Sequence, residues 1–375
     1  MLKPEKLRIF GYDASDLPGT AKVYKRHGIS SVVGHADLKA AEFFSANGFE
    51  YFIMQGCFHT DEHTDRPENL CVDVNGNVTK WFGSACPNSP AAIDKCLTEA
   101  RGFANIPGIS GIIIDGARYA SPASPENADA FYTCFCQRCL AKMAELGYDP
   151  ALIKASVLAL YTHRKTGQGF DTDTHRLGID QWLAFRRSII TSHLTAYAKA
   201  IRDVNPNLLV GMYLFTPSLS ALVGQNYHDL AEVFDFLSPM IYRQYQQPEG
   251  PACLDHEIAA LLRTANHLTP AQKKPVYALY ASLTGLPFNE LPDPERLLAE
   301  GCPVSFVENE VKKAREWVGS RLEVSPIIML EDSMLAESIQ ACLRQGVKTL
   351  DFFLYEKAAF ERYFPDAFKA IPGHP

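Results

Sequence analysis

Short apolar strands alternate with amphipathic helices from one end of this chain to the other, and no other feature of the sequence narrows the choice of fold so far. Such alternation makes successive strands parallel, since the chain must return through a helix before it pairs again in the same direction. Strands are expected at Leu7 to Asp13, Ser30 to His35, Tyr51 to Gln55, Gly111 to Asp115, Leu208 to Phe215 and Phe234 to Tyr242. Three more are expected at Val276 to Ala281, Ile327 to Leu330 and Leu350 to Tyr355. The pattern predicts an α/β fold, a (β/α)8 TIM barrel, with long loops at the carboxyl ends of strands 3 and 4. Nine candidates for eight places leave either the run at 276 or the first one outside the barrel. An open doubly wound sheet is the competing architecture, but no glycine-rich phosphate loop follows any strand. With 375 residues, 47% of them hydrophobic, and no linker or internal repeat, the chain reads as one domain over 1–375.

Function is concentrated between Ser110 and Cys139. The run Gly-Ile-Ile-Ile at 111–114 is apolar throughout, as suits a strand buried on both faces, and it ends on a carboxylate, Asp115. Ligands of parallel barrels meet the carboxyl ends of the strands, so an acid there is a candidate for chemistry. The alternative for Asp115 is a helix cap or a partner of Arg118. From Ser121 to about Asp180 the chain reads as loop and short helix. Gln181 to Val204 is the longest periodic helix, and further helices are expected at about Asp255–Asn266, Val307–Leu322 and Met334–Gln345.

Cys134, Cys136 and Cys139 follow at C-x-C-x-x-C spacing, too tight to pair among themselves as disulfides but suited to three ligands around one tetrahedral ion. Cys86, in the loop after strand three, is the leading fourth ligand, with Cys57 and Cys71 in competition. Four thiolates leave no open coordination position, so a zinc held there would be structural. The alternative is a loop of free thiols.

The net charge of -7 and the absence of a basic run argue against nucleic acid or an anionic membrane surface as the main partner. Charges in Met-Leu-Lys-Pro-Glu-Lys-Leu-Arg occupy the place of a signal peptide's apolar core, and no run approaches a membrane span. The expected location is cytoplasmic, where ten cysteines in so long a chain are reduced thiols plus one metal cluster rather than a disulfide scaffold.

Cys86-Pro-Asn-Ser-Pro90, an apolar strand ending Ile114-Asp115, and then Cys-x-Cys-x-x-Cys-Leu together resemble the layout of family 42 glycoside hydrolases, the zinc-carrying β-galactosidase-type barrels. The likeness covers about residues 80–145. It implies a carbohydrate substrate and a zinc held by Cys86, Cys134, Cys136 and Cys139. The endings Asp115-Gly-Ala-Arg-Tyr119 and Leu237-Ser-Pro-Met-Ile-Tyr242 look more like uncharacterised glycosidase-like barrels, whose fourth strand ends in an Asp followed by Arg-Tyr. The chain departs from family 42 at one decisive point: that family ends strand four with Asn-Glu, the Glu being the acid/base, where Gly116 and Ala117 stand here.

Cleaving a glycosidic bond usually takes two carboxyl groups, about 5 Å apart when one is the nucleophile and roughly 6.5–9.5 Å apart when water attacks directly. Asp115 and Glu331, which ends Pro326-Ile-Ile-Met-Leu-Glu, form the expected catalytic pair, with Asp332 and Glu356 in reserve. Glu331 or Asp332 could equally cap the helix near Met334, and Glu356 the one after it. Tyr119, Tyr213, Tyr242, Tyr245 and Tyr280 lie at or near strand ends, where rings stack on sugar faces. Arg118 and Arg243 could hold an acidic sugar's carboxylate, and Glu356 is placed with the substrate-binding group. His35, His59, His63 and His175 are expected to be solvated rather than metal-binding.

The leading expectation is a glycoside hydrolase acting on an oligosaccharide or glycoside, with a structural zinc. Its rivals are a non-catalytic sugar-binding barrel, favoured by the missing Glu at 117, and a metal-dependent hydrolase. A homo-oligomer is compatible with the sequence, which leaves the number of subunits open.

Overall fold

The computed structural model describes residues 4–124, 127–245, 252–369 and 371. Eight parallel strands close into a barrel: β1 Lys6–Phe10, β2 Ser31–Gly34, β3 Glu50–Gly56, β4 Gly111–Asp115, β5 Leu209–Phe215, β6 Phe236–Met240, β7 Ile327–Met329 and β8 Thr349–Phe353. Neighbours pair in chain order, β8 returns to β1, and β7 meets β6 through Ile327 and Met240. A short strand, Glu323–Val324, adds to the opposite end of β6, and a two-stranded hairpin joins Cys71–Val72 to Val78–Thr79 in the loop after β3.

Fully apolar strands are explained by burial on both faces: Ile112, Ile113 and Ile114 have no solvent exposure. The outer helices start where capping side chains accept the first free N–H groups. Asp37, Ser89, Asp149 and Asp171 each accept from one or two such groups at the head of Leu38–Ala46, Pro90–Ala104, Pro150–Thr166 and Thr172–Val204.

Two sequence expectations change. The run from Val276 to Ala281 is helical, part of Pro270–Thr284, and so supplies no ninth strand. Thr269 and Gln272 form a complete capping box ahead of it, Pro270 takes the first turn, and Gly285 ends it in a left-handed conformation. Tyr280 is therefore packed against Phe288 away from any strand end. The stretch 121–180 is also largely helical: it holds Gln137–Glu145 and Pro150–Thr166, and the longest helix begins at Thr172 rather than 181. Among the described residues, no helix is long and apolar enough to cross a membrane.

The barrel interior is not wholly apolar. Arg8 of β1 ion-pairs with Asp351 of β8 at 3.0 Å, its guanidinium 4.7 Å from the Phe52 ring centre and 4.3 Å from that of Phe236. Ser238 of β6 donates to Asp351 at 2.8 Å. Burial raises the Asp351 carboxyl to about 6, against the pull of Arg8. The folded protein thus keeps a proton that the unfolded chain has lost, and stability falls as pH rises from the ordinary carboxylate range through about 6. Removing Arg8 pushes that carboxyl higher still and leaves it buried and unpaired once ionised. Arg8→Met is therefore expected to cost about 3–5 kcal/mol at pH 8. The loss should shrink at pH 5, where Asp351 is protonated; urea unfolding at the two pH values measures the difference.

Candidate active site and thiolate cluster

Strand register sets the position of Asp115. It is the last ladder residue of β4, opposite Gly56 of β3, and its carbonyl accepts from Cys57 N–H at 2.8 Å. Its side chain enters a cavity of about 360 Å³ at the carboxyl end of the barrel. Aromatic rings dominate the walls: Phe10, Trp81, Tyr213, Tyr242, Tyr245 and Phe353. Tyr242 stacks on Phe353 with ring centres 5.7 Å apart.

Burial raises the Asp115 carboxyl above the ordinary range, opposed by the Gly116 N–H and by the charges of Arg118 and His59. Among the described residues lining the cavity it is the only carboxylate. Arg118, also on the wall, is held between Trp81 and Phe215, 4.2 and 4.5 Å from their ring centres, and donates to the Tyr119 carbonyl at 3.2 Å. Burial lowers its pKa to about 10, with Glu257 and Asp115 pulling the other way, so it stays cationic at neutral pH. Burial likewise raises the Tyr213 and Tyr242 hydroxyls.

His59 corrects an expectation. It lies on the cavity wall rather than in solvent, and burial lowers its pKa while the nearby Asp115 pulls upward. Gly56 makes room for it, since a Cβ there would stand 2.6 Å from His59 Cδ2. The signal available in sequence was its place just beyond the end of β3, matching that of Asp115 on β4. Trp81 and Phe82, which complete this wall, come from an irregular loop and carry no such signal. His63 is exposed beside Glu62, His175 stacks on Phe170 and His35 meets the edge of Phe10.

The remaining predicted residues are placed as follows. Glu331 sits in the turn after β7 and is not among the cavity-lining residues; the pKa of Tyr245, which is, is raised by burial first and then by Cys253 and Glu331. Asp332 is buried and pairs with Arg243 at 2.8 Å, while its oxygens also accept from Met334 N–H and Ser338 Oγ. Arg243 is further occupied by the carbonyls of Glu300 and Cys302. Glu356 is exposed and accepts from Ala359 N–H at the head of the last helix. Tyr119 is buried, its hydroxyl without a hydrogen-bond partner among the described residues.

The four cysteines converge. Cys86 Sγ lies 3.6 Å from that of Cys134, 3.9 Å from that of Cys136 and 3.5 Å from that of Cys139, and all four sulfurs fall within 4.8 Å of one another. Cys136 caps the helix Gln137–Glu145 and Cys139 lies in its first turn, where the helix dipole favours negative charge. N–H groups point at the sulfurs: Asn88 N–H at Cys86 (3.4 Å), Asn88 Nδ2 at Cys139 (3.2 Å) and Val72 N–H at Cys134 (3.4 Å). Four converging sulfurs with N–H donors around them fit a thiolate-bound metal ion. Of the competing thiols, Cys71 packs beside Cys86 and Cys134, and Cys57 beside Cys96.

No family model matches the chain, and no curated protein does. Solved structures do. The PgaB (BpsB) glycoside hydrolase domain from Bordetella bronchiseptica is similar over 98% of this chain and 99% of its own, with a TM-score of 0.59 and 11% identity. A β-galactosidase from Bacillus circulans sp. alkalophilus is similar over 98% of this chain and 55% of its own (TM-score 0.62, 12% identity). Gan42B, a GH42 β-galactosidase from G. stearothermophilus, is similar over 98% and 56% (TM-score 0.56, 11% identity). The chain spans about half the length of the β-galactosidases. At such identities the likeness is one of fold: this chain is an α/β TIM barrel, as those structures are.

The two arginines singled out in the sequence should separate experimentally. Arg243→Met strands a buried carboxylate and is expected to cost about 3–5 kcal/mol in urea unfolding, the range for a broken buried pair. A loss below about 1 kcal/mol, the scale of an exposed pair, would contradict the structural role given to it.

Proposed function

We propose that the chain is a glycoside hydrolase, a single catalytic barrel that cleaves an oligosaccharide or glycoside at this cavity. Asp115 gives the proton to the leaving oxygen and Glu331 is the second carboxylate. The observation that carries the reading is Asp115 itself: an acid at the end of a barrel strand, in an aromatic-walled cavity, with its pKa raised by burial. A carboxyl group kept protonated above its usual range is what a general acid requires. Tyr213, Tyr242 and Tyr245 offer faces for a pyranose, and Arg118 is the substrate-facing cation. Support for Glu331 is its place after β7 and its electrostatic effect on Tyr245. The glycoside hydrolase folds similar to this one favour a carbohydrate over other ligands, by analogy.

A second reading, a sugar-binding barrel without turnover, is favoured by one specific observation. Asp115 has no carboxylate companion among the described lining residues, and position 117 is the buried Ala117. We assign the thiolate cluster a zinc ion with a structural role, held by Cys86, Cys134, Cys136 and Cys139. A full set of thiolates leaves no position for a reactive water, so this donor set favours a structural site over a metal-dependent hydrolase.

A panel of aryl glycosides distinguishes the two readings. Hydrolysis should fall about 10²–10⁴-fold in Asp115→Asn, the usual worth of a general acid, and should also fall in Glu331→Gln. Turnover should decline as pH rises past the Asp115 pKa, because the protonated form is the active one, and that limb should vanish in Asp115→Asn. Sugar binding by calorimetry with no turnover would establish the second reading, and full activity in Glu331→Gln would remove that residue from the mechanism. For the metal, elemental analysis should find about one zinc per chain, lost in Cys139→Ser; its chelation should lower the unfolding temperature, with activity lost only as the fold loosens.

A further inference from the structure

Arg186, on the long helix Thr172–Val204, has no solvent exposure, and no carboxylate among the described residues forms an ion pair with it. A buried guanidinium normally has an acid opposite it, as Arg8 has Asp351 and Arg243 has Asp332. Arg186 instead donates to neutral carbonyls only: Nε to Thr133 at 3.1 Å, Nη1 to Leu222 at 2.7 Å, and Nη2 to Thr133 at 2.5 Å and to Phe131. Its plane lies over Trp182, 3.8 Å from the ring centre, and Tyr119 stands 4.9 Å away. Carbonyls and ring faces satisfy the donors of a cation without balancing its charge.

The missing negative charge lies one residue further on. Thr133, which receives two of these bonds and a third from Trp182 Nε1 at 3.0 Å, immediately precedes Cys134. Burial lowers the Arg186 pKa to about 9, and Tyr119 followed by Cys71, Cys134 and Cys139 pull the other way. Four thiolates around a divalent ion carry a net charge of about −2, which is costly in a buried site without a nearby cation. Arg138, between Cys136 and Cys139, is partly exposed and spends one donor on the Glu68 carbonyl.

We propose that Arg186 is the buried counter-cation of a dianionic tetrathiolate metal centre formed by Cys86, Cys134, Cys136 and Cys139. This rests on the metal reading of that cluster. Without a cation between them, four sulfurs within 4.8 Å of one another cannot all hold negative charge, so Arg186 is less compensated in the metal-free protein than with metal bound. The two states therefore respond differently to loss of its charge. A residue that merely braces the Thr133 loop would destabilise both states alike.

The test uses the full chain as wild type, Arg186→Gln and Arg186→Lys. Zinc affinity is measured by competition with a chromophoric chelator, cobalt(II) absorption reports tetrathiolate ligation, and thermal unfolding is recorded with and without metal. The expected result for Arg186→Gln is zinc affinity about 10–100-fold weaker, the scale for outer residues of a metal site, with metal-free unfolding unchanged or shifted upward. Arg186→Lys, which keeps the charge and loses the fork, should stay closer to wild type than Arg186→Gln does. Unchanged zinc affinity in Arg186→Gln overturns the proposal, as does equal loss of affinity in both variants with lowered metal-free stability. Should Arg186→Gln fail to fold, Arg186→Lys decides: affinity near wild type supports the proposal, and a 10–100-fold loss overturns it. Wild type that binds neither zinc nor cobalt(II) removes the metal centre itself, a failure distinguishable from the others because no variant is needed to see it.

Discussion

The pairing of β3 with β4 is the constraint on which the rest of the molecule depends. Its ladder runs from Phe52 opposite Gly111 to Gly56 opposite Asp115, and Cys57 N–H extends it by one more bond to the Asp115 carbonyl. A slip of one residue would turn Asp115 from the cavity into the helical layer and move every Ile of β4 with it, because side chains alternate along a strand. The same register launches two long loops from adjacent points on one rim. One carries His59, Trp81 and Cys86; the other carries Arg118 and the three clustered cysteines. The four sulfurs then join these loops at a second point. A ladder at one end and a cluster at the other confine both loops, which is how irregular chain can hold Trp81 against Arg118 at 4.2 Å.

The sequence made the barrel legible because period and burial agree in its strands. It made the cysteine cluster legible because three ligands in six residues restrict their own geometry. Other features failed for definite reasons. Val276 to Ala281 has strand composition, but Thr269, Pro270 and Gln272 ahead of it start a helix, and a capping box outweighs a short apolar run. Arg118 and Arg243 look alike in sequence. Arg243 is set apart by its ion pair with Asp332, brought to it from a turn 89 residues away, and nothing local announces that encounter. His59 looked solvated because polar residues surround it in sequence, whereas its spatial neighbours are Gly56, Phe82 and the barrel mouth.

Buried charge is arranged differently at different levels of the barrel. Arg8 with Asp351 and Arg243 with Asp332 are close pairs, each supported by hydroxyls or backbone groups. Such pairs hold neighbouring elements in one arrangement, because either partner alone would be a buried charge. Asp115 has no ion-pair contact of this kind among the described residues; Arg118 and His59 act on it only from a distance. Burial, rather than a close ion pair, is what sets its pKa.

Position 117 carries no acid in this chain. Ala117 is buried, its carbonyl receives Gln225 Nε2 at 3.1 Å, and Gly116 before it takes a positive φ of 70°. Ala117 is not among the residues lining the cavity, and the turn after β4 packs around this small side chain. Any acid at this strand end must therefore be supplied by the ladder residue. An acid on the ladder is shorter than Glu but is held by backbone bonds to β3, and it exchanges reach for fixed position. In the proposed reaction that places the burden of approach on the substrate, which must bring its leaving oxygen down to Asp115 between the aromatic walls. Tyr213, Tyr242 and Phe353, which line the cavity beside Asp115, are the walls such a substrate would pass between.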